Sequence, residues 1–90
     1  MSVEIIIPPS LQPLTDEAIL ITVSGGTVGE CLKKLVIQYP KLRPRLFTAN
    51  NELRKGLNIF INREPAYPGE LAKMVHNGDK LYISYIVMGG

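Results

Sequence analysis

The chain has 90 residues, of which 46% are hydrophobic and 20% charged, and its formal net charge at pH 7 is +2. This length and composition predict one small globular domain and exclude a disordered chain. The net charge gives no argument for nucleic acid, and no apolar stretch is long enough to span a membrane. With one cysteine and one histidine, the sequence excludes an internal disulfide and predicts no metal site. Without a signal-like N-terminus, we expect a cytoplasmic protein.

The first part of the sequence predicts a β-hairpin. Residues 3–7 are rich in β-branched side chains and predict a strand, which residues 10–16 follow as a connecting turn. Residues 17–23 predict a second strand with alternating apolar residues. Those on one face are Ile19, Ile21 and Val23. Because the connection is short, we expect the two strands to pair in antiparallel fashion.

A helix is predicted next, from Thr27 to the residue before Pro40. Thr27 and Glu30 fit a capping box, in which each side chain accepts a hydrogen bond from a backbone N–H at the helix start. Apolar residues then recur at helical spacing, at positions 28, 31, 32, 35, 36 and 39. Cys31 lies in this stripe, so we expect it to be a core residue and not a reactive thiol.

The second half of the sequence predicts two more strands and a less regular segment before them. Residues 41–56 fit either a short helix or a packed loop. Residues 57–62 predict a third strand, and residues 63–65 a turn away from it. Residues 77–79, Asn-Gly-Asp, predict a turn that leads into the last strand, residues 80–86.

These elements predict an α+β fold, with one main helix packed on one face of a mixed sheet. A right-handed crossover lets the last strand lie parallel to the first at the centre of the sheet, which is the β-grasp arrangement. We expect residues 1–86 to form this domain and residues 87–90 to form a flexible tail. Gly89 and Gly90 would then be presented on a firmly held strand, and without Cβ atoms they could enter a narrow channel.

Strand alternation also predicts an apolar surface on the sheet face away from the helix. The residues expected to face the helix are Ile5, Ile59, Leu81 and Ile83. The residues expected to point outward are Ile6, Phe60, Tyr82 and Ile86. Because an exposed apolar patch usually marks an interface, we expect the outward set to dock a partner. The alternative is that residues 41–56 or a second subunit cover it.

Taken together, the motifs resemble the ThiS/MoaD-type family of ubiquitin-like sulfur carriers. The matching pieces cover nearly the whole chain: Thr27–Glu30, Tyr39–Leu42, Leu57–Asn62, Asn77–Leu81 and Gly89–Gly90. Their order and spacing, together with the terminal Gly-Gly pair, make the resemblance specific. The sequence differs from many members at Tyr85, where proline is common.

The resemblance implies a sulfur carrier with no bound cofactor, and not an enzyme, although it could count as the small subunit of a molybdopterin synthase. An E1-like adenylating enzyme would use ATP to activate the Gly90 carboxylate, and a sulfur donor would convert it to a thiocarboxylate. Val87, Met88 and Gly89 would lie in the partner's channel. A synthase subunit would then accept the sulfur, for molybdopterin first, with cysteine or thiamine biosynthesis as alternatives.

Two other functions fit the same sequence. The chain could be a ubiquitin-like modifier that is joined through Gly90 to lysines of target proteins. It could also be a non-catalytic β-grasp interaction module whose tail is inert.

Overall fold

The structure is a computed structural model, and it describes residues 2–85. The expectations for Ile86, Val87, Met88, Gly89 and Gly90 therefore lie outside the described residues. Within residues 2–85, none of the helices has the length and apolar character needed to cross a membrane.

The described residues form five strands and two α-helices. The strands are β1 (Ser2–Ile6), β2 (Leu20–Ser24), β3 (Leu57–Ile61), β4 (Glu64–Pro65) and β5 (Lys80–Tyr85). The α-helices are α1 (Val28–Gln38) and α2 (Arg43–Leu46). Three short 3-10 helices cover Pro9–Thr15, Pro40–Leu42 and Glu70–Ala72.

The strands form one mixed sheet in the order β2-β1-β5-β3-β4. β1 and β2 pair in antiparallel fashion, and β5 lies between β1 and β3, parallel to the first and antiparallel to the second. This arrangement confirms the predicted β-grasp. Because β5 is hydrogen-bonded on both sides, the strand that leads into the tail is held in the interior of the sheet.

The helix α1 begins at the predicted capping box, in which the Glu30 contact differs in one detail from the usual motif. The Thr27 Oγ1 accepts a hydrogen bond from the Glu30 N–H at 3.1 Å, as expected. The Glu30 carboxylate accepts from the Gly26 N–H at 2.7 Å and not from that of Thr27. The side chain therefore reaches one residue further back, and it fixes the strand-to-helix turn as well as the helix start.

The core lies between α1 and the inner face of the sheet. All the residues predicted to face the helix are buried: Ile5, Ile59, Leu81 and Ile83. The predicted helix stripe is buried as well, apart from the half-buried Tyr39: Val28, Cys31, Leu32, Leu35 and Val36. The apolar residues of the irregular segment close one end of this core: Leu42, Leu46 and Phe47.

Three local predictions were wrong. Residues 10–16 are not a plain turn, because Pro9–Thr15 forms a 3-10 helix that buries Leu11. β2 begins only at Leu20, and Ile19 is 63% exposed since it precedes the strand at the edge of the sheet. Residues 64–65 do not leave the sheet, because the chain reverses at residue 62 and pairs back on β3.

Candidate functional site

One line of apolar side chains crosses the sheet on the face away from α1. Leu20 lies opposite Ile6, Ile6 opposite Tyr82, Tyr82 opposite Phe60, and Phe60 opposite Pro65. Residues that are directly opposite on neighbouring strands share a face of the sheet. These five side chains therefore form a single line over all five strands, which we call the outer row.

The outer row is accessible and is bordered by polar residues. Leu20 is 43% exposed and Tyr82 38% exposed, while Ile6 and Phe60 are half-buried by their neighbours. The rows on either side are polar: Thr22, Glu4 and Lys80 on one side, Ser84 and Asn58 on the other. An apolar centre with a polar border is the usual anatomy of a protein interface.

The structure brings together three of the four residues predicted to face outward. Ile6, Phe60 and Tyr82 are adjacent in the outer row, whereas Ile86 lies outside the described residues. Sequence reasoning missed Leu20 and Pro65. Strand alternation already placed Leu20 on the face opposite Ile21, but only the register of β2 against β1 shows that it extends the row.

The last described residue of β5 is anchored to α2. Tyr85 is paired with Leu57 in the sheet, and its hydroxyl donates a hydrogen bond to the backbone carbonyl of Arg45 at 2.7 Å. The side chain is half-buried against the core. A proline at this position would lack that side-chain bond. The base of the tail is thus fixed by both backbone and side chain.

Comparison with known proteins identifies the family. No model of a protein family matches the chain. The sulfur carrier protein CysO of Mycobacterium tuberculosis is 31% identical over 93 residues, which covers 100% of both chains. The chain belongs to the ThiS/MoaD-type family of ubiquitin-like sulfur carriers.

Solved structures agree with this assignment. SAMP1 of Haloferax volcanii is similar with a TM-score of 0.87 and 29% identity, covering 100% of both chains. A chain of the BexX/CysO complex of Amycolatopsis orientalis is similar with a TM-score of 0.88 and 28% identity, covering 98% of this chain and 99% of that one. The fold and the relatives together make this family member a small carrier or modifier protein.

In this carrier, the predicted turn before β5 positions the central strand. The Asp79 carboxylate accepts hydrogen bonds from the His76 backbone N–H at 2.8 Å and from the Asn62 amide at 3.1 Å. Gly78 donates to the Ser2 carbonyl at 2.8 Å. The turn thus joins the start of β5 to the end of β3 and the start of β1.

Asp79 makes the stability of the carrier depend on pH. The His76 N–H, followed by the Asn62 amide, holds the pKa of the Asp79 carboxyl below its ordinary value near 3.9. A carboxyl whose pKa is lower in the folded state stabilises the fold above its unfolded pKa. That contribution is lost as the pH falls from about 4 through the lower folded pKa.

We expect Asp79→Asn to lower the free energy of unfolding by about 1–2 kcal/mol at pH 7, because a charged acceptor is lost. The difference from the wild type should shrink as the pH falls below about 4 and Asp79 itself becomes protonated. Urea unfolding at a series of pH values measures this. Asp16→Asn, at an exposed turn, is the matched control with one carboxylate removed. If the difference in free energy of unfolding between Asp79→Asn and the wild type stays constant with pH, the pKa of Asp79 is not lowered by folding.

Cys31 has no part in the candidate site. Its side chain is fully buried in α1, and burial, with a smaller effect of the Glu30 carboxylate, raises the pKa of its thiol. A raised pKa disfavours the nucleophilic thiolate, which agrees with the predicted core role. Within residues 2–85, no three His, Cys, Asp or Glu residues form a group that could hold a metal ion.

Proposed function

We propose that this chain carries sulfur as a thiocarboxylate on Gly90, which an E1-like partner enzyme first adenylates. The observation that supports this most strongly is the match to CysO, a sulfur carrier, along the full length of both chains. The fold supports it as well, because β5 is the central strand and runs directly toward the tail.

The chemistry requires activation because a carboxylate is a poor electrophile. The Gly90 carboxylate oxygen attacks the α-phosphorus of ATP, which forms an acyl-adenylate and releases pyrophosphate. Sulfide from the donor then attacks the acyl carbon, the bond to the phosphate oxygen breaks, and AMP leaves. In this proposal the partner uses ATP and the sulfur donor, while this chain supplies the carboxylate, the tail and a docking surface.

The outer row is the proposed docking surface for the adenylating enzyme. Tyr82 lies three residues before Tyr85, so the row sits close to the base of the tail. The five residues from 86 to 90 can span at most about 17 Å. A partner that holds the outer row can therefore receive Gly90 in an active site about that far from the sheet, with Val87, Met88 and Gly89 in the connecting channel.

For the sulfur acceptor we favour a subunit that serves cysteine biosynthesis. The related carriers are named CysO, and neither of the structures compared above bears the name of a molybdopterin synthase. This departs from the molybdopterin acceptor expected from the sequence. A molybdopterin or thiamine acceptor would need the same thiocarboxylate, so the choice of acceptor leaves the proposed chemistry of Gly90 unchanged.

A second candidate function is protein modification. It is favoured by the likeness to a structure described as small archaeal modifier protein 1, at 27% identity and a TM-score of 0.85. Intact mass spectrometry of the chain purified from its own cells separates the two functions. A carrier shows a species heavier by about 16 Da, from sulfur in place of oxygen. A modifier shows conjugates with Gly90 in isopeptide linkage to lysine; if these occur without the thiocarboxylate, the carrier proposal is wrong.

Tyr82→Lys tests the docking surface. We expect kcat/KM for adenylation to fall at least about tenfold, because a charge at the centre of an apolar contact must be desolvated. Pyrophosphate release with increasing carrier concentration measures the rate. Thr22→Lys is the matched control, since it adds the same charge to the same face of the sheet outside the outer row.

Because Tyr82 is partly exposed, the free energy of unfolding of Tyr82→Lys should change by about 1 kcal/mol or less. An unchanged kcat/KM would show that the outer row does not contact the adenylating enzyme. A large loss of stability would show instead that Tyr82 belongs to the core.

A further inference from the structure

β2 forms one edge of the sheet, and half of its backbone groups face away from the protein. The Ile7 N–H donates to the Ile19 carbonyl at 2.8 Å, which shows that odd-numbered residues of this segment bond to β1. Because bonding direction alternates along an antiparallel strand, the N–H and C=O groups of Leu20, Thr22 and Ser24 point outward. Within residues 2–85, no turn, loop or side-chain group bonds to them.

The two edges of the sheet differ in their protection. Sheet edges are commonly guarded by charges, proline, bulges or short strands. The β4 edge consists of only Glu64 and Pro65, a charge and a proline. The β2 edge, residues 19–24, has the sequence Ile-Leu-Ile-Thr-Val-Ser, with neither a charge nor a proline. Its pairing with β1 runs through five consecutive residues without a bulge.

Exposed apolar side chains accompany this open edge. Ile19 is 63% exposed, and Leu20 is 43% exposed. On α1, the Lys34 ammonium donates to the Ser24 hydroxyl at 3.3 Å, so this side of the helix lies over β2. Ile37, one helical turn after Lys34, is 66% exposed. A strand that is added at this edge would cover both the backbone groups and these apolar side chains.

We propose that a second copy of this chain pairs with the β2 edge, antiparallel and centred on Thr22. Leu20 then lies opposite the partner's Ser24 and Thr22 opposite the partner's Thr22. Every one of these pairs exchanges two hydrogen bonds, so no outward group of either strand remains unmatched. The result is a closed two-fold dimer with a continuous ten-stranded sheet.

The absence of charge favours a second copy over an unrelated peptide. Self-pairing places like residues close together, and a charge at its centre would repel itself, whereas residues 19–24 carry no charge and the Lys34 ammonium lies at the Ser24 end, not at the Thr22 pair. The Thr22 pair is a favourable cross-strand combination. Since one strand pair and a few side chains bury little area, we expect a weak dimer that forms as the concentration rises.

The dimer leaves most of the candidate functional site open, because Leu20 is the one residue of the outer row that lies at the β2 edge. A two-fold axis at Thr22 is perpendicular to the sheet, so both outer rows remain on one exposed face. The two β5 strands run in opposite directions, and their C-terminal ends lie at opposite ends of the assembly. Each copy can therefore deliver its own tail to a separate enzyme. This inference does not depend on the proposed sulfur chemistry.

Disulfide trapping tests the pairing and its register. In Thr22→Cys the paired Cα atoms should be about 5.5 Å apart, which suits a disulfide. In Ser24→Cys, four residues of offset separate the thiols by about 13 Å, beyond disulfide reach. Wild type controls for the buried Cys31. Under mild oxidation, we expect the Thr22→Cys chain to form a covalent dimer at least about tenfold more than Ser24→Cys, with both folded by circular dichroism.

Light scattering gives the independent readout without a cysteine. The mass of the wild type should rise from 10.0 kDa toward twice that value as its concentration increases from about 10 μM to about 1 mM. Leu20→Lys, a charged edge, should remain monomeric. Equal cross-linking of the two cysteine variants, or a mass that stays at one chain throughout, would overturn the proposal. So would binding of an extended peptide at this edge without any self-association.

Discussion

One alanine added after Gly90 should abolish adenylation of the chain by its E1-like partner. The added residue moves the carboxylate about 3.5 Å further along the tail and places a Cβ where the partner expects none. Because the proposed docking on the outer row fixes the folded body, we expect that the tail does not slide back to compensate. A misplaced reacting group loses the advantage of orientation, which is worth several orders of magnitude in rate. Deletion of Gly90 should have the same effect.

Pyrophosphate release measures this loss, and we expect at least about a thousandfold reduction in kcat/KM. Lys33→Ala is the control, because it removes an exposed side chain of α1, on the face of the sheet away from the outer row, and leaves the tail unchanged. It should retain activity within a few-fold of the wild type. The unfolding midpoint should be the same in all of these variants. If the extended chain is adenylated with the kcat/KM of the wild type, Gly90 is not the reacting residue.

Leu81→Ala should be among the most destabilising single changes in the domain, costing about 3–4 kcal/mol. Leu81 is fully buried in β5, opposite Ile5 on one neighbouring strand and Ile61 on the other. Truncation leaves a cavity between the central strand and α1, and two hydrogen-bonded neighbours prevent the strand from collapsing into it. The loss is a large fraction of the stability of an ordinary domain.

Denaturant unfolding measures this effect. Lys80→Ala is the control, because the Lys80 side chain, next to Leu81 in β5, is exposed on the outer face. We expect this substitution to change the free energy of unfolding by less than about 0.5 kcal/mol. If Leu81→Ala does not fold, Leu81→Val should still cost about 1 kcal/mol. A cost below about 1.5 kcal/mol for the alanine variant would show that the inner face of β5 is not tightly packed.

The parts of the fold that were predictable are those with a local signal. The helix stripe from Val28 to Val36 and the alternation in β3 and β5 each follow directly from residue spacing, and all are confirmed. The pairing of β1 with β2 followed from the short connection between them, and the central position of β5 followed from the handedness rule for crossover connections. These rules constrain topology strongly in a domain with so few elements.

The parts that were missed depend on contacts distant in sequence. The 3-10 helix at Pro9–Thr15 is too short for a periodic signal. β4 forms because Asn62 adopts a φ of 57° and returns the chain to β3. No sequence signal indicated this strand, since a proline such as Pro65 argues against one. For the candidate site, alternation was enough to find Ile6, Phe60 and Tyr82. The complete outer row required the register of neighbouring strands, which sequence spacing does not contain.

The sulfur-carrier proposal is tested most directly by the intact mass of the chain after reaction with its E1-like enzyme, ATP and sulfide. The proposal predicts a gain of about 16 Da, as expected for sulfur replacing oxygen, located by fragmentation at Gly90. When ATP is left out of the reaction, the chain should keep its original mass. An unchanged mass, under conditions in which the same enzyme adenylates the chain, would contradict the proposal that Gly90 carries sulfur.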